Sequence, residues 1–194
     1  TVFLEVNQTS SSLNLTLDSV ADNLTVEAGS VVNLTAELLS GESGIELYLD
    51  GVLINSGSSP LTNLTLFNIP SQYNVTARYP SSQNYTESSR TFFITVQDTT
   101  APAWSGNKTT PTSGVIYAPG ADHQFNISWS DLVGVDDVLF EHNFSGSWVN
   151  ISPTGNASDE YFLNVSDLAA ESYAWRSYAN DSAENINTTD TFIY

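Results

Sequence analysis

The sequence predicts an all-β protein built from two tandem β-sandwiches, and three observations support that fold class. Apolar and polar residues alternate along short segments such as Leu13–Leu17, Phe125–Trp129 and Leu163–Ser166. A period of two places the apolar side chains on one face of a strand and the polar ones on the other. Pro, Gly, Asn, Ser and Asp interrupt these segments about every 8–12 residues, as in a sandwich. The third observation is that no stretch has a convincing helical period.

The strands fall into two groups separated by a predicted hinge over residues 98–102. Pro102 disfavours helix before it and follows a strong strand over 91–96. In the first group, Asp50-Gly51 is the favoured residue pair for a tight hairpin. We expect a first domain over 9–97 and a second over 103–194. The predicted strands lie near 12–18, 23–26, 31–39, 45–50, 52–55, 61–67, 72–79 and 90–97, and then near 112–117, 123–130, 136–142, 147–151, 160–165, 172–180 and 187–194.

Fifteen of the eighteen asparagines begin an Asn-x-Ser/Thr triplet, the acceptor motif for N-glycosylation. Many of these triplets lie in the alternating segments, so the Asn is predicted to face solvent while its apolar neighbours face the core. We therefore expect a glycosylated protein that is extracellular or on a cell surface. The predicted sites are Asn7, Asn14, Asn23, Asn33, Asn63, Asn74, Asn84, Asn107, Asn126, Asn143, Asn150, Asn156, Asn164, Asn180 and Asn187.

Composition excludes several classes of function. The formal charge is −18 at pH 7, with only 4 Lys and Arg residues, so a nucleic-acid footprint is lacking. The absence of cysteine excludes thiol catalysis, thiolate zinc sites and disulfides. No apolar run approaches the roughly 20 residues that a membrane helix needs. Dense sequons without cysteine favour an archaeal type of cell envelope.

Two segments resemble the tyrosine corner of fibronectin type III and immunoglobulin-like domains: Leu168–Tyr173 and Ile69–Tyr73. Phe125–Trp129 is similar to strand B of such domains, with Trp129 as a core residue. The segments from Asp98 onward resemble the immunoglobulin-like repeats of archaeal cell-surface or extracellular filament proteins. The resemblance implies two tandem immunoglobulin-like Greek-key sandwiches. It implies little about function.

Residues 1–8 are a surplus strand, because the first domain has its strands without them. Thr1–Thr9 is similar to Thr91–Thr99, the closing strand of the first domain. If Tyr194 were followed by Thr1 of another copy, five residues would form one apolar face and make the subunit interface. One hypothesis is a repeat array; another is donor-strand complementation of a neighbouring subunit. A third is an extra edge strand on the first domain's own sheet. The predicted interface residues are Val2, Leu4, Val6, Phe192 and Tyr194.

Candidate chemistry is sparse, and we expect no enzyme. His142 is interpreted as a solvent-facing strand residue, and no Gly-x-Ser-x-Gly motif supports a hydrolase. Calcium is an alternative, because carboxylates near the hinge offer hard oxygen ligands. The candidate ligands are Asp98, Asp131 and Asp136, with Asp137 and Asp181 as further options. Trp148, Tyr48 and Tyr85 are candidates for a sugar-binding platform, although core and edge packing explains them equally well.

These observations predict a structural subunit of a glycosylated filament, pilus or surface layer. Its partner would be a second copy of the same chain, bound head to tail through β-strand pairing. The alternative is an adhesin or stalk module that binds a partner or a carbohydrate through its end loops. No covalent group other than N-glycans is expected.

Overall fold

The computed structural model describes residues 2–42 and 44–194, and every regular element in these residues is a β-strand. The chain divides into two compact units, of which the first ends at Asp98 and the second begins at Thr99. The division falls inside the segment predicted as a hinge. Each unit is a sandwich of two sheets with its own apolar core.

The first domain places a three-stranded sheet against a five-stranded one. Its strands are β1 (Ser12–Leu17), β2 (Leu24–Glu27), β3 (Ser30–Ser40), β4 (Ile45–Leu49), β5 (Val52–Gly57), β6 (Leu61–Phe67), β7 (Ser71–Tyr79) and β8 (Ser88–Gln97). The sheet orders are β1-β3-β6 and β2-β8-β7-β4-β5. All pairs are antiparallel except β2 and β8, which run parallel with Leu24 opposite Ile94.

Alternation along the strands builds the first core as the sequence predicts. Leu13, Leu15 and Leu17 are buried, whereas Asn14 and Thr16 between them are half-buried on the outer face. Full burial of a leucine side chain contributes about 1.5–3 kcal/mol to folding. The predicted Asp50-Gly51 turn joins β4 to β5, and both residues have positive φ (47° and 78°). This is the backbone that a tight two-residue hairpin requires.

The second domain has nine strands in two sheets. They are β9 (Ala103–Thr110), β10 (Asp122–Ser130), β11 (Val135–His142), β12 (Val149–Ile151), β13 (Gly155–Ala157), β14 (Glu160–Ser166), β15 (Ala174–Asp181), β16 (Ile186–Thr188) and β17 (Phe192–Ile193). The sheet orders are β13-β14-β10-β9 and β12-β11-β15-β16, with β17 also pairing with β15. Trp129 is fully buried, which confirms its predicted core position.

Both tyrosine corners are present. The Tyr73 hydroxyl donates to the Ile69 carbonyl at 2.9 Å, and the Tyr173 hydroxyl donates to the Ala169 carbonyl at 3.0 Å. Each bond ties the start of a strand, β7 in the first domain and β15 in the second, to the turn before it. Strand order and corners together establish tandem immunoglobulin-like or fibronectin type III-like domains.

Two strand predictions in the second domain are wrong, and two of its strands, β9 and β13, were not predicted. Strand β9 was not predicted, because an exposed edge strand such as Ala103–Thr110 has polar residues on both faces. The predicted strand near 112–117 is an exposed loop in the structure. Pro111 and Gly114 interrupt pairing there despite the apolar Val115–Tyr117. The predicted strand over 187–194 is two short strands, β16 and β17, with a break between them.

Candidate assembly and glycosylation surfaces

The described part of the N-terminal segment, residues 2–8, is extended away from its own sheets. Val2, Leu4 and Val6 are 98%, 90% and 84% exposed, and Phe3 between them is 89% exposed. These residues have no strand pairing in the part of the chain that the structure describes. An extra edge strand on the first domain, one of the three hypotheses for this segment, is therefore not what the structure has.

The C-terminal end of this segment is hydrogen-bonded to the first domain. The Thr9 amide donates to the Asn84 carbonyl at 2.8 Å, and the Thr86 amide donates to the Thr9 carbonyl at 2.9 Å. The side-chain amide of Gln8 adds a bond to the Ser82 carbonyl at 2.6 Å. These contacts fix the chain to the loop between β7 and β8, and β1 then completes the small sheet. Residues 2–7 belong to no strand or strand pair of the first domain.

Phe192 and Tyr194 pack inside their own domain, in contrast to the exposed interface residues near the N-terminus. Phe192 meets Trp104 edge to face at 5.7 Å between ring centroids. The backbone of Tyr194 exchanges two hydrogen bonds with Tyr173, at 2.8 and 2.9 Å. Both predicted interface residues are thus part of the second core. The outward side chain at this position is Ile193, which is 68% exposed.

The sheet edge at β17 differs from its counterpart in the first domain. There, β2 runs parallel to the end of β8 and covers that edge. Among the described residues of the second domain, β17 pairs only with β15. Beside this edge lies a cavity of about 270 Å³, whose apolar lining includes Val115, Ile116, Tyr117, Leu168, Tyr173 and Ile193. The edge combines unpaired backbone with a nearby apolar surface, the two features that strand addition uses.

Fourteen of the fifteen sequon asparagines have exposed or half-exposed side chains. Those fully exposed are Asn7, Asn23, Asn84, Asn107, Asn150, Asn156 and Asn164, and those half-exposed are Asn14, Asn33, Asn63, Asn74, Asn143, Asn180 and Asn187. They occur in both domains, in strands as well as loops. Their positions are compatible with the predicted glycosylation, which stays a prediction.

Asn126 is the position at which the structure disagrees with the predicted set. Its side chain is only 6% exposed, and its Nδ2, the atom that would carry a sugar, donates to Glu160 Oε1 at 2.6 Å. Alternation holds along β10, since Phe125, Ile127 and Trp129 are all buried. Asn126 lies between them on the other face of the strand, and it is buried there although alternation predicts an exposed position.

The candidate calcium ligands have structural roles of their own. Asp131 Oδ1 accepts the Val133 and Gly134 amides, so it closes a turn. Asp181 is fully buried, and its two oxygens accept from Ala183 and twice from Asn185. The carboxylate oxygens of Asp131 and Asp181 lie within 4.8 Å of each other.

Three calcium candidates remain. Asp136 and Asp137 are exposed and are not in this group. Asp98 is half-buried and is the last residue of the first domain. A buried carboxylate that already accepts several hydrogen bonds, as that of Asp181 does, is satisfied without a metal. Calcium binding at Asp98, Asp131 and Asp136 stays a prediction.

His142 is buried, so its interpretation as a solvent-facing residue is wrong. The side chain is 8% exposed and stacks on Phe144 with 4.2 Å between ring centroids. Burial lowers its pKa below the ordinary value of 6.5, because the charged form loses hydration. His123 is also buried, with Nδ1 at 2.9 Å from the Tyr194 hydroxyl. Both histidines are core residues of the second domain.

Within the described residues, we find no helical segment with the length and hydrophobicity of a bilayer span. No protein-family model matches the chain, and no curated protein matches it significantly.

Solved structures do resemble it. They include the fibronectin(III)-like modules of Clostridium thermocellum CbhA (19% identity, 92% of each chain covered, TM-score 0.37). The tandem IG1+IG2 of DIP-gamma is similar too (12% identity, 93% of this chain and 95% of that chain, TM-score 0.38). A β-glucuronidase from Parabacteroides merdae matches over 96% of this chain but 25% of its own (10% identity, TM-score 0.35). TM-scores at this level carry no functional argument, and the fold assignment depends on strand order and the two tyrosine corners.

Proposed function

We propose that this chain is a structural subunit of a glycosylated extracellular filament or surface layer, assembled head to tail by β-strand complementation. One observation carries the proposal: residues 2–7 form an apolar segment that its own domain leaves exposed and unpaired. Exposed apolar segments of this kind are a liability unless a partner covers them. A second copy of the chain is the partner that the fold supplies.

The acceptor in this proposal is the open edge at β17 of the next subunit. A strand added there would occupy the position that β2 has beside β8 in the first domain. Its apolar side chains would lie against the cavity next to Ile193. Burial of four large side chains contributes on the order of ten kcal/mol before the entropy cost of association. Because donor and acceptor are different surfaces, each subunit leaves one of each free, and the contact propagates as a filament.

The sequons and the charge fit a surface-exposed polymer. Glycans on both domains would shield the lateral faces and discourage pairing between sheet edges of neighbouring filaments. A net charge of −18 adds repulsion between subunits that are not joined by a strand. An archaeal cell envelope is the setting that dense sequons without cysteine favour. In that setting the assembled chain would be a filament, a pilus or a surface layer.

Removal of the donor segment tests the proposal. We expect a chain that starts at Thr9 to be monomeric by light scattering, while the full chain forms polymers visible by electron microscopy. A synthetic peptide of residues 1–8 should bind the shortened protein and block its capture by full-length polymer ends. Polymers of the shortened chain, or a strictly monomeric full chain at millimolar concentration, would overturn strand complementation.

A disulfide cross-link can locate the acceptor edge. Because the chain has no cysteine of its own, only the introduced cysteines can form disulfides. The paired variant Glu5→Cys with Ile193→Cys should form an intermolecular disulfide under mild oxidation. The matched control joins Glu5→Cys to Ser56→Cys, on the exposed edge strand β5 of the first domain. Equal cross-linking of both variants would show that the segment does not select the β17 edge.

The alternative function is an adhesin or stalk module. It is favoured by Ile116, which is 93% exposed at the tip of the loop between β9 and β10. An adhesin should bind cells or carbohydrate equally well with and without residues 1–8. The shortened chain therefore separates the two functions.

A further inference from the structure

In two sequons of the second domain, an aromatic residue stands two positions before the asparagine. Trp148 precedes Asn150 at the start of β12, and Tyr178 precedes Asn180 within β15. Tyr178 and Asn180 are both in β15, where residues i and i+2 lie on the same face about 7 Å apart. Trp148 immediately precedes β12, which begins at Val149. The Arg176 guanidinium lies over the rings of both Trp148 and Tyr178. Trp148 is 47% exposed, and Tyr178 is half-buried on the outer face of its sheet.

Strand register brings the two sequons to one surface. Glu141 of β11 lies opposite both Asn150 of β12 and Arg176 of β15. One step along the same face, Leu139 lies opposite Tyr178. A groove of about 260 Å³ lies at this surface and is lined by Asp137, Leu139, Asn150, Tyr178, Asn180 and Ile186. Both attachment asparagines line this groove, and Ile186 is 69% exposed.

An ion pair holds the two rings in place. The Arg176 guanidinium binds Glu141, and the Tyr178 hydroxyl donates to the same carboxylate at 2.7 Å. These two donors lower the pKa of Glu141 below its ordinary value. Arg176 also lies over Trp148 and Tyr178, 5.7 and 5.2 Å from the ring centroids. A pre-ordered aromatic surface binds at a lower entropy cost than flexible side chains do.

We propose that the first sugars of the N-glycans on Asn150 and Asn180 pack on Trp148 and Tyr178 and cover this groove. The inference rests on the proposed glycosylation of the chain. The C–H face of a pyranose ring is apolar and fits flat on an aromatic ring, while its hydroxyls remain in water. Attachment at the rim makes this contact intramolecular, so even a weak interaction is largely occupied. The glycans thereby become part of the second domain's packing as well as a shield.

A third sequon has the same spacing but lacks a free ring. Phe162 precedes Asn164 in β14, and its ring covers Gly155 so closely that an added Cβ would lie 2.9 Å from it. The Phe162 ring packs against Gly155 and is not part of the groove that Tyr178 and Asn180 line. We therefore restrict the inference to Asn150 and Asn180.

The test is a stability cycle on the full-length glycoprotein, made in a host that glycosylates these sequons. All four tryptophans, Trp104, Trp129, Trp148 and Trp175, lie in the second domain, so tryptophan fluorescence follows its unfolding alone. Ser152→Ala and Ser182→Ala remove the two sequons but keep both asparagines. Each should lower the melting temperature by about 4 °C. The matched control is Asn107→Gln, an exposed sequon with Ser105 two positions before it, and it should shift the melting temperature by less than about 1 °C.

The second arm of the cycle identifies the ring contact. In a Tyr178→Leu background, Ser182→Ala should no longer lower the melting temperature, because the sugar has lost its ring. Protons of the sugar on Asn180 should show an upfield ring-current shift in NMR spectra that disappears in Tyr178→Leu. Glycopeptides without sugar at Asn150 and Asn180 would overturn the glycosylation and this inference together. Glycans present at both sites, with losses no larger than for Asn107→Gln, would overturn the inference alone and leave the filament proposal standing.

Discussion

The two domains share a sandwich topology but fill it with different side chains. The first core is mainly aliphatic, with Leu15, Leu34 and Leu47 fully buried. The second core is aromatic, with Trp129 and Trp175 fully buried and Phe140 stacked on Trp175. Many interchangeable aliphatic contacts and a few large rings are thus alternative ways to fill the same space between two sheets. The difference predicts that single substitutions have larger effects in the second domain.

The same pair of domains also differs at one sheet edge. In the first domain β2 closes the edge beside β8, and in the second domain β17 leaves the corresponding edge without a parallel neighbour among the described residues. The first domain, in which β2 covers the edge, carries the exposed segment of residues 2–7. The second domain, in which the edge at β17 is not covered among the described residues, carries no such segment at its start. The proposed polymer uses this asymmetry, with the exposed segment as its donor and the edge at β17 as its acceptor.

The largest expected effect is the loss of Trp129. Trp129→Ala removes a fully buried indole whose Nε1 donates to Ser177 Oγ at 3.0 Å. We expect a cost of about 3–5 kcal/mol to the second domain, measured by denaturant unfolding with tryptophan fluorescence. The matched change in the first domain, Leu34→Ala, should cost ~2–5 kcal/mol and appear only in circular dichroism. If either substitution destabilised the unfolding transitions of both domains equally, the two cores would not be independent.

The tyrosine corners give a smaller effect that should again differ between domains. Tyr173→Phe should cost ~1 kcal/mol, because the ring is 5% exposed and water has little access to the Ala169 carbonyl. Tyr73→Phe should cost less, since the Ile69 carbonyl is at an exposed site where water can replace the hydroxyl. Urea denaturation of each variant measures the difference. A larger cost for Tyr73→Phe would contradict the role of water access.

The sequence predicts those parts of the fold that depend on local pattern. The alternation around Leu15 identifies a strand, and Asp50-Gly51 identifies its hairpin, because both signals lie within a few residues. β9 is missed, since an edge strand exposed on both faces lacks an apolar period. Burial of His142 and Asn126 is missed because it depends on side chains from other strands.

The candidate surfaces divide in the same way. The exposed segment 2–7 follows from the surplus of strands in the first domain. The aromatic residues before Asn150 and Asn180 are visible in the sequence, but the groove that Asn150, Tyr178 and Asn180 share is not. That groove depends on register across three strands, which no local signal specifies.

Acid should destabilise the second domain first, because His142 lies there and burial lowers its pKa. Burial lowers the pKa of His142, so below its ordinary value of 6.5 the unfolded chain binds a proton that the folded chain does not. Stability is therefore complete above pH 6.5 and falls as the pH drops toward the folded pKa. Glu141, whose pKa the Arg176 and Tyr178 hydrogen bonds lower, adds a second loss below 4.5.

Fluorescence-detected melting between pH 7.5 and 4 measures both losses. His142→Leu should remove the upper one, and Glu141→Gln should remove the lower one. Circular dichroism of the first domain is the internal control, and we expect it to be flat between pH 7.5 and 5.5. A first-domain transition that falls in that interval would contradict the assignment to His142.

The smallest expected effect concerns N-glycosylation rather than stability. It distinguishes Asn126 from the other fourteen sequon asparagines. A glycan on Asn126 Nδ2 would have to replace the bond to Glu160 and leave through a site that is 6% exposed. We therefore expect peptide mapping by mass spectrometry to find Asn126 unmodified while its exposed neighbour Asn164 carries sugar. Asn126→Gln should nevertheless destabilise the second domain, because the longer side chain overfills a buried position. Sugar on Asn126 in the folded glycoprotein would show that β10 is not buried as the structure has it.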